Sequence, residues 1–213
     1  MSRISSRLDP RTPRRPLRAA RLSRGLALSA LALLAALALG ACGESHTRVT
    51  TGTYAGASGK NAPYLNVGPL VYEVQISREL NPYNVEDAAY LKGVPAAGRQ
   101  LQPGEEWFGV FMQVYNNTSA PHPVAANITI TDTEENTYYP VVLASTNSFA
   151  YRPELLAAKA QLPAPNTIAA SGPTQGALLL YKIKVISLDN RPLTIKITDP
   201  ALSTQTASAE LDV

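Results

Sequence analysis

From Val67 onward, apolar residues recur with period two along most of the chain, the spacing of β-strands with one buried face. Leu70, Tyr72, Val74 and Ile76 share one face, opposite Val71, Glu73 and Gln75. Across residues 107–115 the alternating set is Phe108, Val110, Met112 and Val114, yet Trp107, Phe111 and Tyr115 make the other face partly apolar too. A strand apolar on both sides belongs in the middle of a sheet covered on each face. Ile128 and Ile130 alternate with Asn127, Thr129 and Thr131, and Tyr139, Val141 and Leu143 predict a further strand after a turn. Leu179, Tyr181, Ile183 and Val185 alternate with Leu180, Lys182 and Lys184; Leu193, Ile195 and Ile197 alternate with Thr194, Lys196 and Thr198. Strands separated by turn chemistry, with little helix, predict an all-β antiparallel β-sandwich over residues 67–213. A small closed barrel shares this periodicity.

Two segments break the rhythm. Residues 84–93 predict a short helix: Asn84 suits the cap, Glu86 and Asp87 the first turn, Lys92 the last turn and Gly93 the stop. Residues 144–170 form a long Pro- and Ala-containing excursion with a predicted helical turn over 154–159. Long insertions in a sandwich are where binding function tends to sit, which makes residues 78–104 and 144–170 the loops to watch.

Upstream of the domain the pattern changes character. Arginines from Arg14 to Arg24 precede an apolar run over residues 26–39, too short to cross a bilayer core of ~30 Å and suited to a signal peptide. The run ends Leu39-Gly40-Ala41-Cys42, which resembles the lipobox of bacterial lipoproteins: an aliphatic residue, two small ones and a cysteine. The resemblance implies cleavage of residues 1–41, diacylation of Cys42 and anchoring on the extracytoplasmic face of the cell membrane. Arg14-Arg15 also fits twin-arginine export, but Pro16-Leu17 follows and arginines abound here, so the general secretory route is the expectation. Residues 42–66, rich in Gly, Ser, Thr and Ala near their start, predict a flexible tether.

The leader also changes the charge reading. The whole chain is formally +3, but eight of its 19 Lys and Arg residues lie between Arg3 and Arg24, where Asp9 is the one acid. Residues 42–213 therefore keep 11 basic and 15 acidic side chains, a net −4. Such a domain is not built to hold phosphates, so nucleic acid is not an expected partner. One cysteine leaves no internal disulfide and no Cys-clustered metal site.

Phe108-Gly109-Val110-Phe111-Met112-Gln113-Val114-Tyr115-Asn116-Asn117-Thr118 resembles the signature strand of an immunoglobulin-like domain of unknown function found in bacterial lipoproteins. The family's next element, a strand ending in Asp and then a turn and Tyr, is matched by residues 131–138. The family is similar to a small secreted mycobacterial immunogenic protein, and the resemblance covers residues 69–198. It implies an immunoglobulin-like sandwich and an envelope location, and no activity. This chain departs from it in its two long insertions and in Asn136, where the turn often has Gly.

Candidate chemistry is sparse. A nucleophile triad needs a positioned base, and the histidines are His46 in the tether and His122 between two prolines. Neither suggests catalysis, so no enzyme, cofactor or metal is expected. The acidic run Asp132-Thr133-Glu134-Glu135-Asn136 lacks the length and central Gly of a calcium loop and reads as a turn, with Asp132 bonding the backbone and Asn136 left-handed. Glu105 and Glu106, as strand neighbours, point to opposite faces and predict solvated side chains. The remaining feature is aromatic. Tyr83, Tyr90, Phe149 and Tyr151 fall in the insertions and are the candidate contacts for a partner or ligand, or else plugs that seal the loops. The expected role is a non-enzymatic module binding an envelope protein; the alternative is a small-ligand or ion-binding lipoprotein with a pocket between insertions and sheet.

Overall fold

The computed structural model describes residues 47–51 and 64–211. The expected signal peptide over 1–41 and Cys42 lie outside the described residues. One sheet runs in the order β10 (Ala177–Lys184), β4 (Glu105–Tyr115), β3 (Leu70–Leu80), β2 (Tyr64–Val67), with β9 (Gln161–Leu162) paired to the end of β4. The other runs β1 (Thr47–Thr51), β12 (Thr206–Leu211), β11 (Leu193–Thr198), β6 (Asn127–Thr131), β7 (Thr137–Tyr138). A small pair, β5 (His122–Pro123) with β8 (Leu155–Leu156), stands beside them. Pairing is antiparallel except between β1 and β12. The chain is thus an all-β sandwich.

The alternation read from the sequence explains the layers. Phe108, Val110, Met112 and Val114 of β4 meet Ile128, Ile130, Ile195 and Ile197 of the facing sheet in one buried core. Each such side chain contributes roughly 1.5–3 kcal/mol by leaving water. The opposite face of β4 is covered as well. Trp107 and Phe111 pack with Leu80, Tyr90, Val94, Leu143, Leu178 and Leu180 in a second core between the sheet and the insertions. This is why residues 107–115 are apolar on both sides.

Several expectations need correction. A β-bulge between Val74 and Ile76 flips the parity of β3, so Ile76 leaves the face of Tyr72 and packs on the second core. The strand predicted from Tyr139 to Leu143 does not form, and β7 ends just before it at Tyr138. Pro140 has no N–H for the ladder, and the chain crosses to the free edge of β10, where the Val141 N–H donates to the Leu180 carbonyl at 2.7 Å. The helical turn expected over 154–159 gives way to β8, and Val185 begins a 3₁₀ turn (Val185–Leu188) instead of ending β10. The tether expected over 42–66 is interrupted. Thr47–Thr51 adds to the sheet edge beside β12, and Tyr64–Val67 adds beside β3.

The short helix forms as expected. In α1 (Val85–Tyr90) the Asn84 Oδ1 accepts from the N–H groups of Glu86 at 2.8 Å and Asp87 at 3.4 Å. Gly93 adopts φ +79° beyond its end. A second short helix, α2 (Ala96–Arg99), follows, and α3 (Ile168–Ser171) precedes β10.

Candidate binding groove

Insertion 78–104 is fastened to its own strand by Arg78, which bonds Asp87 at 2.5 Å and lies 5.8 Å from the centre of the Tyr90 ring. Burial opposes ionisation of Asp87, but the Arg78 guanidinium and the Asn81 N–H outweigh it and hold the carboxyl below its ordinary value. The second insertion joins the first through Asn147, whose amide donates to the Tyr90 and Lys92 carbonyls at 2.8 and 2.6 Å. The Asn147 oxygen accepts from the Phe149 N–H, and the Ala144 N–H donates to the Gly93 carbonyl. The two insertions therefore meet, as one cap on the outer face of the sheet.

The aromatic candidates separate under this cap. Tyr90 is 3% exposed and stands edge-on to Phe111 and Phe149, with ring centres 5.0 and 4.7 Å apart. Phe149 is half-buried against the same cluster. These two seal the cap. Tyr83, at the tip before α1, is 95% exposed and stands outside the cluster. Tyr151 is half-buried, with its hydroxyl donating to the Ala125 carbonyl at 2.8 Å; burial pushes its pKa well up. The Ala125 N–H in turn donates to the Tyr72 hydroxyl at 2.7 Å.

Tyr151 also lines a groove. Where residues 139–143 and 150–153 run along the edge of β10, they leave between them an open cleft of about 540 Å³, with Leu178 and Leu179 among its lining. Its walls are mostly apolar: Pro140, Val141, Leu143, Ala150 and Pro153. The one cation lining it, Arg152, has its guanidinium bonded to the carbonyls of Leu143, Ala144 and Asn147. Val142, 83% exposed, and exposed Tyr139 stand at its rim. Sequence reading missed this groove because it took Tyr139–Val141–Leu143 for a strand; Pro140 inside that run was the available sign.

The polar candidates have structural partners. Asp132 accepts from the N–H groups of Glu134 and Asn136, from the Asn136 amide and from the Ser187 hydroxyl at 2.6 Å, which ties the turn to the 3₁₀ turn. Burial opposes its ionisation, but the Ser187 and Asn136 bonds outweigh it and lower its pKa. The left-handed residue of that turn is Glu135, at φ +63°, and not Asn136. His122 pairs with Leu156 in the small β5–β8 pair. Asn116 is buried: its amide donates to the carbonyls of Ala120, Leu156 and Ala157, and its oxygen accepts from Thr118. The Asn-Asn-Thr ending of β4 is a loop clasp. Among the described residues no group of three or more His, Cys, Asp or Glu is placed to hold a metal ion.

Glu106 departs from the solvated reading. It shares the inward parity of Phe108, is half-buried, and its Oε1 has no hydrogen-bond partner. Burial, and then the charge of Glu79, push its pKa up to about 7. Glu105, half-buried as well, does have partners: it accepts from the Gln102 N–H at 2.8 Å and lies 3.6 Å from Lys182.

No family model matches the chain, and no curated protein matches it. Among solved structures it is similar to an uncharacterized β-sandwich protein from Clostridium difficile 630, with 9% identity, coverage of 80% of this chain and 97% of that one, and a TM-score of 0.43. The sandwich assignment rests on the strand pairings of this chain itself.

Proposed function

We propose that this chain is a lipoprotein, held on the extracytoplasmic face of the cell membrane by acyl chains on Cys42, whose immunoglobulin-like sandwich is a non-enzymatic module for binding another envelope protein. The observation that carries the binding role is the apolar groove between residues 139–143 and 150–153, open at the sheet edge with Val142 exposed at its rim. Exposed apolar side chains around a concavity mark contact sites, because covering them removes apolar surface from water. The leader and lipobox support the anchor. A small apolar ligand is the second reading, and the groove volume lies within the usual range for such sites.

One experiment separates these readings. A photo-crosslinking residue at Val142, in the full chain in its own membrane, is expected to trap a discrete envelope protein, whereas one at exposed Lys196 on β11 is not. Equal, diffuse adducts at both sites overturn the protein-partner reading. Co-purification of a small apolar molecule, displaced by Leu179→Trp, would establish the second.

A further inference from the structure

We infer that the mature domain sits on the bilayer with one particular end of the sandwich against the lipid headgroups: the end bearing the 68–69 turn and the loops 116–126, 157–176 and 199–205. The inference rests on the lipid-anchor reading of Cys42 and adds to it an orientation and a contact surface.

The first argument is covalent reach. β1 runs parallel to β12 with Thr47 opposite Ala207 and Thr51 opposite Leu211. β12 starts at Thr206, opposite Thr198, so Thr47 lies at the end of the sandwich where β11 finishes. Leu70 and the end of β4 are there too, since Val71 pairs with Tyr115 and Gly68 packs on Asp199. Five residue steps separate Cys42 from Thr47, which reach at most ~17 Å even when fully extended. The acyl chains of a lipidated Cys42 begin below a headgroup layer of roughly 5–8 Å. The end that receives Thr47 is therefore confined near the surface. The opposite end, where β3 finishes at Leu80 and Tyr83 follows, stands about 33 Å farther along the strand.

The second argument is the character of the loops at that end, and it is independent of the first. In the 68–69 turn and the three loops, the ionisable side chains are His122, Lys159 and Asp199. Asp199 is buried, and its Oδ1 accepts from the N–H groups of Ala201 and Leu202 at 2.7 and 2.8 Å. These loops present no exposed carboxylate of their own, the nearest being exposed Glu154, whose carbonyl accepts from the Val124 N–H, while Ile168 and Leu202 are exposed there. The far end is crowded with charges of both signs: Glu86, Glu105, Glu134, Glu135 and Asp189 together with Lys92, Arg99, Lys182, Lys184 and Arg191. Apolar tips on sparsely charged loops can enter the headgroup layer, whereas an end crowded with charges must keep its water. Both arguments select the same end and the same partner, a phospholipid surface.

The test uses the lipidated full-length product in vesicles of phosphatidylethanolamine and phosphatidylglycerol with a nitroxide on the headgroup. Cys42 is the only native cysteine, and acylation blocks its thiol, so Leu202→Cys, Ile168→Cys and Tyr83→Cys each supply one labelling site for a bimane fluorophore. Quenching is expected to be several-fold stronger at 202 and 168 than at 83. Equal quenching at the three sites, or stronger quenching at 83, in protein shown by fatty-acid labelling to be acylated overturns the orientation alone. Absence of fatty acid on the chain, with no difference from Cys42→Ser, overturns the anchor reading and the orientation with it.

Discussion

The side-chain amide of Asn147 donates to the carbonyl of Tyr90 at 2.8 Å across a sequence separation of 57 residues, and this bond locks two insertions into one lid over the sheet. With the bond to the Lys92 carbonyl, it satisfies acceptors that the lid removes from water. Asn147→Ala strands these groups and is expected to cost about 2–3 kcal/mol in urea unfolding. Hydrogen exchange should quicken first in residues 84–94. Unchanged exchange there would show that the lid is held by its apolar contacts alone.

Glu106 makes stability depend on pH in the neutral range. Its folded-state pKa, about 7, is above its ordinary value of 4.5, so the folded state favours the protonated carboxyl. Stability linked to this group is full below pH 4.5 and is lost as pH rises through about 7. Glu106→Gln removes the titration. The variant should match the parent in melting temperature near pH 4.5 and exceed it at pH 8. Parallel melting curves across that range would rule out the buried carboxyl as the cause.

Asp132 acts in the opposite direction. Its pKa is held below the ordinary 3.8, so its contribution is present above that value and is lost as pH falls through the lowered one. Ser187→Ala removes one of the bonds that lower it and should raise the pH of the acid-unfolding midpoint. Carbon-13 NMR of the carboxyl in the variant would report the same upward move directly.

Gly68 adopts φ +57° in the β2–β3 turn, and a Cβ there would run into the Asp199 carboxylate. Gly68→Ala combines left-handed strain with that collision and should cost about 1–3 kcal/mol. Gly98→Ala is the control: its Cβ would meet nothing within 4 Å, and alanine favours the α2 helix, so stability should hold or rise slightly. Equal losses at both positions would point to a general intolerance of these loops.

The amino-acid pattern by itself determined the central strands β3, β4, β6, β10 and β11, because alternation is a local property set by which residues shun water. It also determined α1, whose cap, first-turn acids and closing glycine act within one short stretch. The doubly apolar run 107–115 announced that β4 has two covered faces, though not what covers the second. Only the tertiary structure decided that. Asn147 and Arg152 read as ordinary loop residues, and Tyr90 as a contact or a plug, until contacts across tens of residues make them a lid. Pro140 diverts a run that alternates like a strand, and the diversion opens the groove; the hydrogen-bonding edge it moves to belongs to β10, forty residues on. The bulge at Val74/Ile76 likewise exists only against β4, so no local period could place it. β12, with small and polar residues, is a strand because β11 offers it an edge. Short-range preferences write the elements, while partners, registers and concavities depend on groups that sequence separation hides from each other.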